Sequence, residues 1–184
     1  MDIDEYYNAS YEVKDNFLSE VEFAKLEGAI MGPEFNWNYS YNVSDGGDSE
    51  NDIYFMHLFY IGLGSKPKID FHGNPIPPEK SPFYKFIEPF LEKLPDFQAL
   101  IRAKANLYVA RKKLIHHKDH IDMEFSHKGA ILYMNDNDGF TVLEDGTEIE
   151  SKANRVLLFD PSKPHHSTSC TKDNRRVNIN INYL

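Results

Sequence analysis

The sequence has almost no cysteine: Cys170 is the single one among 184 residues. A lone cysteine excludes an intramolecular disulfide framework, and it excludes a zinc site built from two or more thiolates. Any metal that this chain binds must therefore be held by nitrogen and oxygen ligands.

Long hydrophobic runs are also missing. No stretch approaches the roughly 18 consecutive apolar residues that a membrane-spanning helix needs. Residues 1–5 (MDIDE) are acidic, whereas a secretory signal begins with basic residues and continues into an apolar stretch. We therefore expect a soluble, unsecreted protein with a cytoplasmic location and no membrane partner.

Basic residues are too few to balance the acids, and the net charge at neutral pH is −9. The excess lies in residues 1–52, which hold 13 acids against Lys14 and Lys25, whereas residues 53–184 hold 16 acids against 18 bases. A polyanion is repelled by the phosphates of nucleic acids. Long duplex nucleic acid is thus disfavoured as a partner, while a nucleotide or a short strand remains open.

The length and the 41% hydrophobic content suit one core, so we expect a single domain over residues 1–184. Residues 1–100 read as a mixed, helical lead-in. Apolar spacing predicts helices over about residues 19–30 and 81–94, and alternation predicts strands over residues 35–43 and 53–61. The polar loops at 37–52 and 62–80 are expected to act as lids that select the substrate.

From residue 101 onward the sequence changes to short strands separated by turn signals. The predicted strands are 101–109, 112–118, 128–134, 139–143, 147–150, 154–159, 164–169 and 175–183. Eight short strands after two helices predict a mainly β fold with flanking helices, that is, a double-stranded β-helix or jelly-roll barrel of the cupin type.

Histidines and aspartates cluster in two segments, residues 116–122 (HHKDHID) and 164–166 (PHH). Two histidines and one carboxylate on one face of a metal form the facial triad of non-haem iron(II) oxygenases, which leaves positions open for oxygen and a chelating co-substrate. Residues i and i+2 at a strand end point to the same side, so an H-x-D pair can reach one ion while the third ligand comes from a distant strand.

The last segment alternates in the manner of a strand with one polar and one apolar face. Its polar face holds Arg176, Asn178, Asn180 and Asn182, and its apolar face holds Val177, Ile179, Ile181 and Tyr183. An inward arginine indicates a polar interior, and a guanidinium there suits the bidentate capture of a carboxylate.

Three choices between neighbouring residues arise in these segments. Arg176 is favoured over Arg175 because Arg175 shares its face with the apolar residues. A ten-residue offset from the third ligand to the arginine then selects His166 over His165. The residues alone leave open whether His120 and Asp122 form the H-x-D pair or whether the pair is His117 and Asp119.

The chain resembles the double-stranded β-helix dioxygenases that use iron(II) and 2-oxoglutarate, and among them the small phage and marine bacterial oxygenases similar to prolyl 4-hydroxylases. The resemblance covers residues 101–184, and residues 1–100 fit the family's lead-in only loosely. It is carried by RxKxNLY at 102–108, HxD at 120–122, NxGFTxLEDGT at 137–147, NRxxxF at 154–159, PHHSTxCT at 164–171 and RVNIN at 176–180.

The resemblance implies that the iron ligands are His120, Asp122 and His166, with Arg176 completing the catalytic set as the anchor for the far carboxylate of 2-oxoglutarate. The resemblance ranks the pair His117 and Asp119 second, because the family has a histidine just upstream of its metal-binding H-x-D and His117 fills that role. Further co-substrate contacts are implied for Tyr108, Asn106, Thr141 and Asn178.

The activity implied is hydroxylation of an unidentified substrate, a prolyl or other peptide side chain or a small molecule, with release of succinate and carbon dioxide. The implied cofactors are Fe(II), 2-oxoglutarate and O2, with ascorbate as a candidate accessory reductant. Two other hypotheses stay open: a non-catalytic jelly-roll module that binds a small ligand, and a cupin-like protein that uses another metal.

Overall fold

The structure, a computed structural model, describes residues 11–40, 53–62, 72 and 80–184. Most of the residues in the loops predicted to act as lids, 37–52 and 62–80, lie outside the described residues. Among the described helices none has the length and apolar character needed to cross a membrane.

The described chain runs through two helices and a series of short strands. In order they are β1 (Tyr11–Lys14), α1 (Glu20–Met31), β2 (Asn38–Ser40), β3 (Tyr54–Ile61), α2 (Tyr84–Glu92), β4 (Leu100–Val109), β5 (Lys128–Tyr133), β6 (Phe140–Leu143), β7 (Glu148–Glu150), β8 (Val156–Phe159), β9 (His165–Ser167) and β10 (Arg175–Tyr183).

These strands form two antiparallel sheets. The major sheet has the order β1-β8-β5-β10-β4-β3-β2, and the minor sheet has the order β7-β6-β9. The crossovers between the two sheets, with helices on one outer face, are those of a jelly roll. The predicted fold class is therefore confirmed.

Helix α1 begins where the sequence predicts it, at a capping box. The Ser19 hydroxyl accepts a hydrogen bond from the Glu22 backbone N–H (3.3 Å), and the Glu22 carboxylate accepts one from the Ser19 backbone N–H (2.8 Å). The same carboxylate pairs with Lys93 at 2.7 Å. This ion pair joins the start of α1 to the end of α2.

Two apolar cores flank the major sheet. The larger lies between the helices and the outer face of the sheet, where Leu26, Ile30 and Phe90 pack with Ile179 and Ile181. A smaller core lies between the sheets and consists of Ile131, Tyr133, Leu143, Ile149, Leu157 and Phe159. The apolar face predicted for β10 is confirmed, because its residues join the larger core and leave the polar face to the interior.

Two expectations for individual elements were wrong. Residues 112–118 do not form a strand: this stretch makes one isolated bridge, from His116 to Thr168, because it crosses from one sheet to the other and has no neighbouring strand to pair with along its length. Helix α2 starts at Tyr84 rather than at residue 81, because residues 82–83 form a turn. Strand β1, which the sequence did not predict, pairs with β8 at the sheet edge.

Asn154 fastens the segment before α1 to the jelly roll. Its side chain accepts a hydrogen bond from the Leu18 N–H (2.9 Å) and donates one to the Leu18 carbonyl (2.8 Å), and its backbone has a φ of 59°. We expect Asn154→Ala to lower the free energy of unfolding by about 2–4 kcal/mol, since it leaves buried backbone groups unpaired and places a Cβ-bearing residue without a local hydrogen bond in the left-handed region.

Chemical denaturation measures this loss. Asn154→Gly is the matched control, because glycine adopts positive φ without strain. It should fall between the wild type and Asn154→Ala, and an Asn154→Ala protein as stable as the wild type would contradict the fastening role.

Candidate functional site

The interior face of the major sheet is polar along two neighbouring strands. Strands β4 and β10 are antiparallel, and their register places four polar pairs side by side. The pairs are Tyr108 with Arg176, Asn106 with Asn178, Lys104 with Asn180, and Arg102 with Asn182. These rows form the floor of a cavity that the segment 117–122 and strands β6 and β9 close from the other side.

Three potential metal ligands converge in this cavity. His120, Asp122 and His165 each offer a ligand atom, and these atoms lie within 4.8 Å of one another. The backbones of His120 and His165 exchange two hydrogen bonds of 3.0 Å, and their ring centroids are 4.7 Å apart. Two histidines and one carboxylate on one side of a cavity form the donor set of a facial triad.

The structure brings His165, and not His166, to this cluster. In the pairing of β6 with β9, Thr141 lies opposite Ser167, Val142 opposite His166, and Leu143 opposite His165. Paired residues share a face and successive residues alternate, so His165 lies on the face of Thr141 and His166 on the face of Val142. His166 still borders the cavity, but its ring nitrogens are not among the converging ligand atoms. His166 instead contacts Asp119 through Nδ1 (2.6 Å) and His116 through Nε2 (3.0 Å).

The structure also distinguishes the two candidate H-x-D pairs. The side chain of Asp122 is 5% exposed, whereas that of Asp119 is 71% exposed on the outer surface. His117 does lie inside, where its Nδ1 is 2.8 Å from the Ser167 hydroxyl and its ring stacks on Tyr108. His117 and Asp119 therefore point to opposite sides and cannot share one ion.

The tautomers of the two clustered histidines suit metal binding. His120 Nδ1 lies 3.2 Å from the Lys118 carbonyl and His165 Nδ1 lies 3.0 Å from the Lys163 carbonyl. A carbonyl only accepts, so each Nδ1 carries the hydrogen and each Nε2 keeps a free lone pair. Metal-binding histidines are typically oriented in this way by a second hydrogen bond.

Asp122 is held as a carboxylate by its neighbours. Arg102 Nη2 donates to one oxygen at 2.6 Å and Asn182 Nδ2 donates to the other at 2.8 Å. Burial by itself raises the pKa of Asp122, but the charge of Arg102 and the hydrogen bond from Asn182 outweigh it and keep that pKa below its usual range. Burial also lowers the pKa of His120, with His165 adding to the effect.

Arg176 is fully buried beside Tyr108 and Thr141, which line the cavity. Its guanidinium donates to Ser151 Oγ (2.8 Å), to Thr141 Oγ1 (3.1 Å) and to the Thr168 carbonyl (3.3 Å). It also lies 5.3 Å from the centre of the Tyr108 ring. All of these partners are neutral, so within the described part of the chain the cation has no acidic partner and suits an anionic ligand.

The surroundings of Arg176 explain two features of the sequence. Gly139 must lack a side chain, because a Cβ there would approach the Arg176 Cδ to 2.6 Å and the Ser169 carbonyl oxygen to 2.5 Å. Arg175, the alternative anchor, is exposed on the opposite face of β10. Burial raises the pKa of Tyr108 to about 12, so this phenol stays neutral and keeps a proton to donate.

The interior also favours a neutral His117. Burial lowers its pKa to about 3, and the nearby charge of Arg176 adds to that effect. A neutral imidazole beside the phenol of Tyr108 adds no further positive charge to the pocket. His117 thus takes the upstream position that the resemblance gave it, without being among the converging ligands.

The residues expected to contact the co-substrate line the cavity beside the three converging ligands. Tyr108, Asn106, Thr141 and Asn178 all border it. Asn106 donates to Asn178 (2.9 Å), but its own amide oxygen is buried without a partner among the described residues, and the same holds for Asn180. Buried acceptors of this kind indicate a place that a ligand or water completes.

Two cations at the site were not predicted as site residues from the sequence: Lys104, which lines the cavity, and Arg102, which contacts Asp122. Both lie on the same face of β4 as Asn106 and Tyr108. The alternation of residues 101–108, with Ile101, Ala103 and Ala105 on the buried apolar face, already carried that signal.

No family model and no curated protein matches this sequence, but its fold is found among solved structures. A 2OG-Fe(II) oxygenase family protein from Burkholderia pseudomallei has a TM-score of 0.67 at 9% identity, covering 98% of this chain and 88% of that one. A prolyl hydroxylase from Trichoplax adhaerens, in complex with a hypoxia inducible factor peptide fragment, has a TM-score of 0.62 at 11% identity, covering 98% and 86%.

A third similar structure is the epimerase SnoN in complex with Fe3+, alpha ketoglutarate and nogalamycin RO. Its TM-score is 0.62 at 11% identity, with coverage of 97% and 80%. The fold of this chain is thus the fold of 2OG-Fe(II) oxygenases, as the resemblance of residues 101–184 predicted. At these identities the likeness establishes the fold, and the chemistry must be argued from the site.

Proposed function

We propose that this protein is a 2-oxoglutarate-dependent non-haem iron dioxygenase. The observation that carries the proposal is the convergence of His120, Asp122 and His165, with two Nε2 lone pairs and one carboxylate, at a polar cavity. Beside this cavity lies Arg176, a cation without an acidic partner among the described residues. This arrangement provides three ligands for Fe(II) and one anchor for a dicarboxylate. His165 takes the place that the sequence assigned to His166.

Different residues of the chain orient the metal ligands and bind 2-oxoglutarate. The carbonyls that bind Nδ1 of the two histidines fix the ring orientation, and Arg102 with Asn182 fixes the carboxylate of Asp122. Arg176 binds the far carboxylate of 2-oxoglutarate, with the hydroxyl groups of Tyr108 and Thr141 beside it. When bound, iron and 2-oxoglutarate supply oxidative decarboxylation, in which O2 is consumed, succinate and carbon dioxide are released and a substrate C–H bond is hydroxylated.

Hydroxylation of a prolyl or other peptide side chain, or of a small molecule, is the reaction that we propose. The resemblance to prolyl 4-hydroxylases supports this proposal, and so does the peptide bound to the similarly folded prolyl hydroxylase of Trichoplax adhaerens. An epimerase in complex with Fe3+ and alpha ketoglutarate has a similar fold. The reaction is therefore tested separately from the cofactors.

The cofactor assignment is tested by anaerobic titration of the metal-free protein with Fe(II) and 2-oxoglutarate. We expect a weak visible charge-transfer band that saturates at one equivalent of each, because chelation of the iron by the keto acid creates that transition. Oxygenation of the saturated complex should then yield succinate. Iron alone and 2-oxoglutarate alone are the controls and should stay colourless.

Two results would contradict the proposal. A protein that stays colourless and binds a small ligand without metal is a non-catalytic jelly-roll module. Metal-dependent activity that is indifferent to 2-oxoglutarate, on the other hand, places the protein with cupin-like enzymes that use another metal.

A further inference from the structure

The cavity carries more positive charge than iron and 2-oxoglutarate require. Lys104 lines the cavity, and Arg102 and Arg176 lie against it through their contacts with Asp122 and Thr141. Among the described lining residues Asp122 is the one carboxylate. Fe(II) adds two positive charges and 2-oxoglutarate adds two negative charges, so binding both leaves the excess unchanged. Uncompensated charge in a partly enclosed site is costly unless another anion enters it.

The excess positive charge lies on Lys104. Arg102 is paired with Asp122 at 2.6 Å, and Arg176 is the anchor proposed for 2-oxoglutarate. Lys104 makes no ion pair with any residue that the structure describes. Its Nζ lies over the ring of Tyr54, 5.6 Å from the ring centre.

The position of Lys104 places it beside the metal ligands and away from the anchor. It borders the same cavity as His120, Asp122 and His165. In the register of β4 with β10 it lies four residues from Tyr108, which is itself opposite Arg176. Four residues along a strand span about 13 Å, so Lys104 lies near the partners of Asp122 and well away from the anchor.

The neighbour of Lys104 on β10 adds an acceptor to this subsite. Asn180 lies directly opposite Lys104, and its amide oxygen is buried without a hydrogen-bond partner among the described residues. A cationic donor beside an unfilled acceptor is complementary to a group that carries both an anion and an N–H. Burial and the charge of Arg102 lower the pKa of Lys104 to about 8, so the amine is still mainly protonated at neutral pH.

From this geometry we infer that Lys104 binds a carboxylate of the substrate, with Asn180 accepting an N–H from the same molecule. The substrate class is therefore an amino acid, or an amino-acid unit in a peptide, that carries a free carboxylate. The inference rests on the proposed function and deepens it, because the C–H bond to be hydroxylated would then be within reach of the metal ligands when the carboxylate is on Lys104.

The test is calorimetric titration of the anaerobic protein with Fe(II) and 2-oxoglutarate bound, using matched acids and amides. One arm uses free L-amino acids and their carboxamides. The other uses blocked tripeptides with a central Asp or Glu, compared with Asn or Gln. We expect an acid in one arm to bind at least about tenfold more tightly than its amide, the effect of one charge-assisted hydrogen bond, and the arm that responds identifies the source of the carboxylate.

Variants connect this preference to Lys104. Lys104→Met should weaken binding of the preferred acid at least about tenfold and remove the difference between acid and amide, whereas Lys104→Arg should keep most of it because the positive charge remains. Lys85→Met removes an exposed lysine on α2 and is the matched control. It should bind the acid as the wild type does.

Several outcomes would overturn the inference. They are equal binding of acids and amides, no binding of any carboxylate in either arm, and unchanged binding in Lys104→Met. A loss of 2-oxoglutarate affinity in Lys104→Met as large as the loss for the acid would also overturn it, since Lys104 would then hold the co-substrate.

Failure of the proposed function gives a different result from failure of the Lys104 inference. If the proposed function is wrong, the charge-transfer band is missing before any acid or amide is added. The same titrations on the metal-free protein then still decide whether Lys104 selects acids over amides.

Discussion

His165→Ala should abolish formation of the Fe(II) and 2-oxoglutarate complex, whereas His166→Ala should preserve it. The two histidines are adjacent in the chain, but strand alternation points one into the cavity and the other toward Asp119 on the surface. Loss of one of three metal ligands should cost more than the roughly 10- to 100-fold typical for an outer-shell partner. The charge-transfer band, iron analysis of the anaerobic protein and succinate release report the effect together.

His166→Ala is the matched control, since it removes the same side chain one residue away. Thermal unfolding should show that both variants are folded at the assay temperature. The reverse pattern, with iron lost in His166→Ala and retained in His165→Ala, would mean that the ten-residue offset from His166 to Arg176 was the better guide and that the inward orientation of His165 does not hold when metal is bound.

Arg176→Met should raise the Kd of 2-oxoglutarate by about 10- to 100-fold, because a charge-assisted hydrogen-bonded pair is lost while the metal ligands are untouched. The guanidinium is buried among Ser151, Thr141 and Tyr108, and none of these can replace its charge. Titration of the charge-transfer band with 2-oxoglutarate at saturating Fe(II) measures the Kd directly.

Arg175→Met is the control for this prediction, because Arg175 is the exposed neighbour on the other face of β10. Its Kd for 2-oxoglutarate should match that of the wild type. Arg176→Lys keeps the charge but loses the planar fork, and it should therefore fall between Arg176→Met and the wild type. If Arg175→Met weakens 2-oxoglutarate binding and Arg176→Met does not, the alternation argument for β10 is wrong.

Much of the fold was predictable because its signals are local. The Ser19 cap and apolar spacing predicted α1 closely, and the strict alternation of residues 175–183 gave both the strand and its polar face. The segment 112–118 failed for a nonlocal reason: its composition suits a strand, but a strand also needs a partner alongside, and this stretch passes between the two sheets.

In the candidate site, too, local signals were predictable from the sequence and nonlocal ones were not. Alternation within one strand selected Arg176 over Arg175, and the structure places Arg176 inside. The choice between His165 and His166 used an offset that runs across residues 168–174, where the chain is not a regular strand and alternation is lost. An offset across an irregular segment therefore carries no information about which face a residue occupies.

The sequence by itself determined the kinds of candidate ligand, their order and the polarity of each strand face, because these depend on residue type and on the fixed period of two residues in a strand. Only the tertiary structure decided which histidine joins His120 and Asp122, and that Lys104 lies in the same cavity without an acidic partner among the described residues. Both depend on register between strands far apart in the chain, and register is set by the packing of the whole jelly roll.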